Sequence, residues 1–152
     1  MLVRPKDLQN NAVPSGNALA CGALLKLAAF TDDGKYRDLA EKALSLVSNS
    51  ALRYPTGFAC WLSAADFALG NVKQIALLHA VNDENSHSFL DLINAEFRPN
   101  LVLASSTYPP AADAPALLVD RPLKEDGITV YVCEHFVCKL PVISLQELQK
   151  QL

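Results

Sequence analysis

From Ala18 to Phe30 nearly every position is apolar, and Lys26 is the lone charge. Pro14-Ser15-Gly16-Asn17 opens this run as a helix start, so a helix is expected from there to about Phe30. A helix apolar all round must be covered on more than one side. Asp32-Asp33-Gly34 predicts a turn. The next helix, about Lys35 to Ser50, carries Tyr36, Leu39, Ala40, Ala43, Leu44 and Val47 at helical spacing on one face. Its other faces carry Arg37/Glu41 and Asp38/Lys42, opposite charges at i,i+4. After Tyr54-Pro55-Thr56-Gly57 a third helix, about Phe58 to Leu69, is again apolar almost all round and stops before Gly70. The order buried, amphipathic, buried fits a two-layer array of helical hairpins. Three helices cannot close such an array, so apolar surface is expected to be left over.

The pattern changes after Gly70. Lys73-Gln74-Ile75-Ala76-Leu77-Leu78-His79-Ala80 reads as a buried strand. A helix is expected from Ser86 to Phe97, with Phe89, Leu92, Ile93 and Phe97 on one face and Arg98-Pro99-Asn100 as its stop. Leu101-Val102-Leu103-Ala104 is a second buried strand, and strand–helix–strand predicts a βαβ unit with parallel strands. Thr107 to Asp126 is proline-rich and reads as loop, with a short turn at Ala116-Leu117-Leu118. Ile128-Thr129-Val130-Tyr131-Val132 is a third strand. Ser144-Leu145-Gln146-Glu147 is a capping box before a short helix whose Leu145, Leu148 and Leu152 face inward. The expected fold is therefore α+β or α/β. Helical hairpins over 1–70 are followed over 71–152 by a small three-layer-like α/β unit with a mainly parallel three-stranded sheet.

Composition narrows the function classes. The chain is 51% hydrophobic and 19% charged, enough to bury a core. A net charge of −3 leaves no basic footprint for nucleic acid or anionic membrane. No apolar run approaches the roughly 20 residues that span a bilayer. Met1-Leu2-Val3-Arg4-Pro5-Lys6 lacks the apolar core of a signal peptide. Cysteines at 21, 60, 133 and 138 do not form a disulfide-scaffold pattern, so a reducing, cytoplasmic setting is expected.

The densest chemistry is Tyr131-Val132-Cys133-Glu134-His135-Phe136-Val137-Cys138-Lys139-Leu140-Pro141. On one straight strand Cys133 and Cys138 would point to opposite faces with Cα atoms about 16 Å apart. A disulfide needs about 5.5 Å. The spacing thus favours two separately packed thiols. A disulfide requires a sharp turn within Glu134 to Val137. A metal site would use Cys133, His135 and Cys138, but no second Cys/His pair completes a tetrahedron, so no metal is expected.

Asp66 is a carboxylate in an apolar helix: buried, it would need a partner or a raised pKa; otherwise it serves the helix end. His79, near the end of a strand, and His87, at a helix start, read as structural or exposed. Cys21 and Cys60 read as small core hydrophobes. The amides and hydroxyl of Asn10-Asn11-Ala12-Val13-Pro14-Ser15-Gly16-Asn17 either cap backbone groups or face a cavity, with capping the simpler role. No nucleophile elbow, dinucleotide fingerprint or phosphate loop is present, and no cofactor is expected.

Three motifs coincide in order: Arg4-Pro5-Lys6-Asp7 with Asn11 to Asn17, then Leu62-Ser63-Ala64-Ala65-Asp66-Phe67-Ala68-Leu69, then Tyr131-Val132-Cys133 to Cys138 with Pro141. Together they resemble the C-terminal end of the thioredoxin-domain-containing family related to spermatogenesis-associated protein 20. The resemblance implies an N-terminal thioredoxin-like domain, a central (α/α)6 toroid of the six-hairpin glycosidase type and a C-terminal α/β segment. On that basis the first helices are the last hairpins of the toroid, and the chain is one piece of a longer protein. Thioredoxin activity does not carry over, because that domain's own cysteine motif is absent here. The leading expectation is a structural, non-catalytic portion whose partner is the rest of the parent polypeptide. A second is part of a carbohydrate-binding or carbohydrate-modifying toroid with Asn11, Ser15, Asn17 and Asp66 at the pocket rim. A third is an interaction module that self-associates through exposed apolar helix faces.

Overall fold

The Ser15 hydroxyl starts the first helix with two bonds. It accepts from the Ala18 backbone N–H at 3.3 Å and donates to the Asp7 carbonyl at 2.7 Å. Helix α1 (Gly16–Thr31) then runs to Asp32, whose left-handed backbone (φ 56°) lets its N–H close back on the Ala28 carbonyl. Asp33 caps the next helix by accepting from the Lys35 N–H at 3.0 Å. That helix, α2 (Gly34–Arg53), is longer than its charge pattern suggests. A 3-10 turn (Pro55–Phe58) leads into α3 (Ala59–Leu69).

The computed structural model describes residues 7–124, 127–135 and 137–152. The Arg4-Pro5-Lys6 stretch and Phe136 therefore lie outside the described residues. The chain divides into two compact units, Met1–Gly70 and Asn71–Leu152.

In the first unit the three helices pack on one another. The contact is built from Ala18, Cys21, Leu25 and Ala28 of α1, Ala40, Val47 and Ala51 of α2, and Trp61, Ala64 and Phe67 of α3. Alanines at the crossings let the helix axes approach, and the Cys21 thiol donates to the Ala40 carbonyl at 3.5 Å. The all-round burial expected of the first and third helices is not reached. Leu19 and Leu27 on α1 and Leu62 and Leu69 on α3 are exposed, as are Leu39, Leu46 and Leu52 on α2. A helix with only two helical neighbours has a third face that no described residue of this unit covers.

The second unit is built on a four-stranded sheet in the order β2-β1-β3-β4. Its strands are β1 (Lys73–His79), β2 (Leu101–Thr107), β3 (Ile128–Glu134) and β4 (Val137–Cys138). Helix α4 (Ser86–Asn94) connects β1 to β2, which pair in parallel from Lys73↔Leu101 to His79↔Thr107. That is the expected βαβ unit. The third strand departs from expectation: β3 runs antiparallel to β1, from Lys73↔Glu134 to His79↔Ile128, so the sheet is mixed and four-stranded. The connection explains it. A third parallel strand needs another crossover, usually helical. Pro109, Pro110, Pro115 and Pro122 break any helix there, leaving only the 3-10 turn Ala116–Leu118.

Strand alternation sorts the side chains into two faces. On one, Ile75, Leu77, Ile128, Val130 and Val132 pack with Phe89 and Ile93 of α4, Val142, and Leu148 of the last helix, α5 (Leu145–Gln151). On the other, Ala76, Leu78, Val102, Thr129, Tyr131 and Cys133 are buried, and the 3-10 turn packs on β1 and β2 with Leu117 and Leu118 buried. The proline-rich segment is tied to this face through Thr129, which accepts from the Lys124 N–H, and Tyr131, which donates to the Pro122 carbonyl.

Helix α4 stops at Asn94, short of the expected Phe97, and Phe97 is 92% exposed rather than core. Pro99 bars Arg98 from helical backbone, and the Arg98 guanidinium instead donates to the Ile93 carbonyl at 2.8 Å. The serine half of the capping box forms, with Ser144 Oγ accepting from the Glu147 N–H at 3.3 Å. The Glu147 carboxylate accepts from the Ser144 hydroxyl at 3.0 Å. Of the three leucines expected inward, Leu148 is fully buried and Leu152 packs partly on the core, whereas Leu145 is exposed.

Leu148→Ala should therefore lower stability by about 2–5 kcal/mol, the range for emptying a buried leucine site. Leu145→Ala should change it by less than about 1 kcal/mol. Urea unfolding monitored by circular dichroism checks both.

Candidate functional site

The sheet edge at β3 and β4 holds the chemistry. Glu134↔Val137 flank the chain reversal, Cys133↔Cys138 are the next pair, and the Lys139 N–H donates to the Val132 carbonyl at 2.9 Å. Cys133 and Cys138 thus occupy a non-hydrogen-bonded position of an antiparallel ladder, where opposed Cα atoms come closest. Their Cα atoms are 3.8 Å apart and their sulfurs are bonded as a disulfide. This corrects the expectation of two separately packed thiols. On a straight strand that spacing would keep the two apart. His135 instead adopts left-handed backbone (φ 50°), and a reversal there sets residues five apart opposite each other.

The reversal also removes His135 from the sulfurs. Its ring Nε2–H donates to Asn71 Oδ1 at 2.8 Å. Among the described residues no group of three His, Cys, Asp or Glu side chains is arranged to hold a metal ion.

Arg121 completes the site. Its Nη1–H donates to Cys138 Sγ at 3.0 Å, its Nε–H to the Leu117 carbonyl at 2.6 Å, and its guanidinium lies 5.3 Å from the Tyr131 ring centroid. Burial of this guanidinium pulls its pKa down from the usual arginine value, with the nearby Tyr131 opposing. Burial pushes the Tyr131 phenol up, so it stays neutral at physiological pH. Glu134 and Lys139 form an ion pair at 3.1 Å, and the Lys139 ammonium holds the Glu134 carboxyl below the usual range. Both are one position off the cysteines in the ladder, so strand alternation turns them to the opposite face. Arg121 was not among the expected site residues, because nothing in sequence spacing links it to Cys138. Tyr131 was legible: it lies two residues before Cys133 on the same strand face.

The N-terminal loop of the helical unit is mostly occupied with its own backbone. Ser15 is buried as the cap of α1, Asn17 Nδ2 donates to the Asp7 carbonyl at 3.2 Å, and Asn10 Oδ1 accepts from the Ser15 N–H at 3.0 Å. Asn11 Oδ1 accepts from the Ala12 N–H at 2.9 Å. The loop is tied down further where the Asn10 N–H meets the Gly57 carbonyl and the Trp61 indole meets the Leu8 carbonyl, both at 2.7 Å. An open cavity of about 930 Å³ is lined by Asp7, Asn10, Asn11, Ser15, Ser50 and Phe58 among others. Asn17 and Asp66 are not among its lining residues, and Asp66 is exposed rather than buried in its helix.

A second cavity, about 450 Å³ and strongly apolar, runs between α2 and α3 past Leu44, Val47, Leu52, Trp61, Leu62 and Leu69. His79 ends β1 half-buried with Nδ1 against the Ala80 carbonyl at 3.0 Å, and His87 is exposed. Cys21 is buried, which pushes its thiol pKa up, and Cys60 is half-buried; both are free thiols. No described helix is long and apolar enough to cross a membrane.

No family model and no solved structure matches the chain. It is similar to spermatogenesis-associated protein 20 of human, 29% identical over 99% of this chain and 20% of the relative. The mouse and rat proteins of the same name are each 27% identical over 99% of this chain and 19% of their own length. The chain spans about a fifth of the length of the curated relatives it matches.

Two outcomes follow from the geometry. Ser15→Ala should cost about 0.5–2 kcal/mol of stability in urea unfolding, the typical loss for a helix cap. Thiol titration of the unfolded, unreduced chain should find two thiols, Cys21 and Cys60, rising to four after reduction.

Proposed function

We propose that the chain is a structural, non-catalytic C-terminal portion of a larger thioredoxin-domain-containing protein. In this reading the helical unit supplies the last hairpins of an α/α toroid, and the α/β unit is its appended end. The observation that carries it is the apolar channel between α2 and α3, with Leu52 78% and Leu69 89% exposed beside it. Apolar surface of this kind, on helices that pack on one side only, calls for further helices of the same layer. The similarity to much longer relatives over nearly the whole chain supports the same reading. A cytoplasmic setting and the remainder of the parent polypeptide as partner belong to it.

The carbohydrate reading gains no support of its own. The Ser15 hydroxyl, Asn17 Nδ2 and Asn10 Oδ1 are each bonded to backbone groups, and Asn17 and Asp66 do not line the cavity beside that loop.

Reading the coding sequence upstream of Met1 tests the proposal. The frame should continue into further helical hairpins, and an in-frame stop immediately upstream would overturn it. The isolated chain should also bind a hydrophobic dye and self-associate in sedimentation at micromolar concentration. Leu52→Glu with Leu69→Glu should reduce both several-fold while leaving helicity unchanged. A chain that is monomeric and dye-silent before mutation would count against an uncovered face.

A further inference from the structure

Cys133 and Cys138 are chemically unequal. Cys133 is 1% exposed on β3, whereas Cys138 lies exposed on the two-residue strand at the sheet edge. The arginine beside Cys138 is fixed on three sides, by the Leu117 carbonyl, the Tyr131 ring and the sulfur itself. Among the described residues no carboxylate is ion-paired with Arg121. Two neighbours on that face carry no charge: Tyr131 keeps its proton, and Gln74 lies opposite Cys133 on β1, while Asp120, next to Arg121 in the chain, is exposed. The ion pair of Glu134 with Lys139 sits one position off the cysteines, so strand alternation turns it to the other face. A cation held against a thiol stabilises its thiolate, the form that reacts.

The bond itself braces little. The loop it closes has a sequence separation of only 5, and so short a loop restricts the unfolded chain much less than a long one. The main hydrophobic cluster, Ile75, Leu77, Val130, Val132 and Leu148 among others, lies on the opposite face of the sheet, while Ala76, Leu78 and Val102 are buried on the cysteine face. Reduction is expected to leave the main core packed, which circular dichroism of the reduced chain checks.

We propose that Cys133 and Cys138 form a thiol–disulfide exchange site, with Cys138 the attacking sulfur, Cys133 the resolving sulfur and a low-molecular-weight disulfide as the oxidant. In the reduced chain the Cys138 thiolate attacks one sulfur of the small disulfide. A mixed disulfide forms on Cys138, the small molecule's own S–S bond breaks, and one thiolate leaves to take a proton from water. Cys133 then loses its proton to water and attacks Cys138 Sγ. The Cys133–Cys138 bond forms and the second small thiol departs. The protein dithiol is oxidised by two electrons and the small disulfide is reduced to two thiols. Excess small thiol drives the same steps backward and resets the site. The exposed nucleophile beside a cation and the buried resolving partner divide the two roles.

The test uses the full chain with Cys60→Ser to remove the other accessible thiol, reduced and then exposed to oxidised glutathione. With Cys133→Ser, mass spectrometry should find one glutathione on Cys138; with Cys138→Ser, none should accumulate on Cys133. The rate of Cys138 alkylation in the Cys133→Ser chain should have a pH midpoint at least about one unit below the ordinary thiol value of about 8.5. Arg121→Gln should raise that midpoint and slow alkylation at pH 7 about threefold, since the gain in thiolate fraction is partly offset by lower nucleophilicity. Arg121→Lys should retain most of the effect, and circular dichroism should show both variants folded. Equal trapping on either cysteine, no mixed disulfide, or a pH profile indifferent to Arg121→Gln would each overturn the assignment. The trapping result stands independently if an Arg121 variant fails to fold.

Discussion

Strand β1 is hydrogen-bonded along both edges and buried on both faces, and the α/β unit is arranged around that fact. Its residues from Lys73 to His79 pair with β2 on one side and β3 on the other, and Ile75 to Leu78 have no exposure at all. A backbone this deep must find its donors and acceptors within the protein, because an unmet polar group there costs free energy comparable to a lost hydrogen bond. The parallel partner β2 brings helix α4 as its crossover, and α4 covers one face with Phe89 and Ile93. The other face is left to the proline-rich segment, whose 3-10 turn packs on β1 and β2 and which is fastened at Thr129 and Tyr131.

The helical unit solves its burial problem differently and less completely. Alanine and cysteine at the crossings of α1 with α2 permit close approach, and Trp61, Phe67 and Phe58 fill the remaining space. Large leucines still face outward on all three helices. Amphipathic helices need a second layer to cover their outer apolar faces, and the toroid proposal rests on that leftover surface.

The cysteine pair depends on β1 indirectly. Because β1 and β3 are antiparallel and β3 runs on to Glu134, the chain that turns at His135 comes back as an edge strand beside β3. That edge strand is two residues long and exposed, whereas the main hydrophobic cluster lies on the far face. The same segment that covers Tyr131 carries Arg121 to Cys138, so the loop that closes the sheet's second face also sets the charge beside the sulfur.

Local patterns in the sequence determined the helices and strands themselves, because each is written in spacing over a few turns or residues: the apolar run after Ser15, the Ser144–Glu147 cap, the βαβ order from Lys73 to Ala104. They also marked Cys133 and Cys138 as the residues to watch. What they could not carry is any relation between distant segments. The antiparallel direction of β3 followed from how a proline-rich connection crosses the sheet, and the exposure of Phe97 from how Arg98 and Pro99 end α4. The disulfide and its arginine followed from the ladder register set by the reversal at His135. Spacing along the chain fixes which way a side chain points on its own element, whereas the approach of Arg121 to Cys138 depends on where two separately routed backbones are brought together by packing. Only the tertiary structure makes that decision, since burial and hydrogen-bond satisfaction are properties of the whole unit.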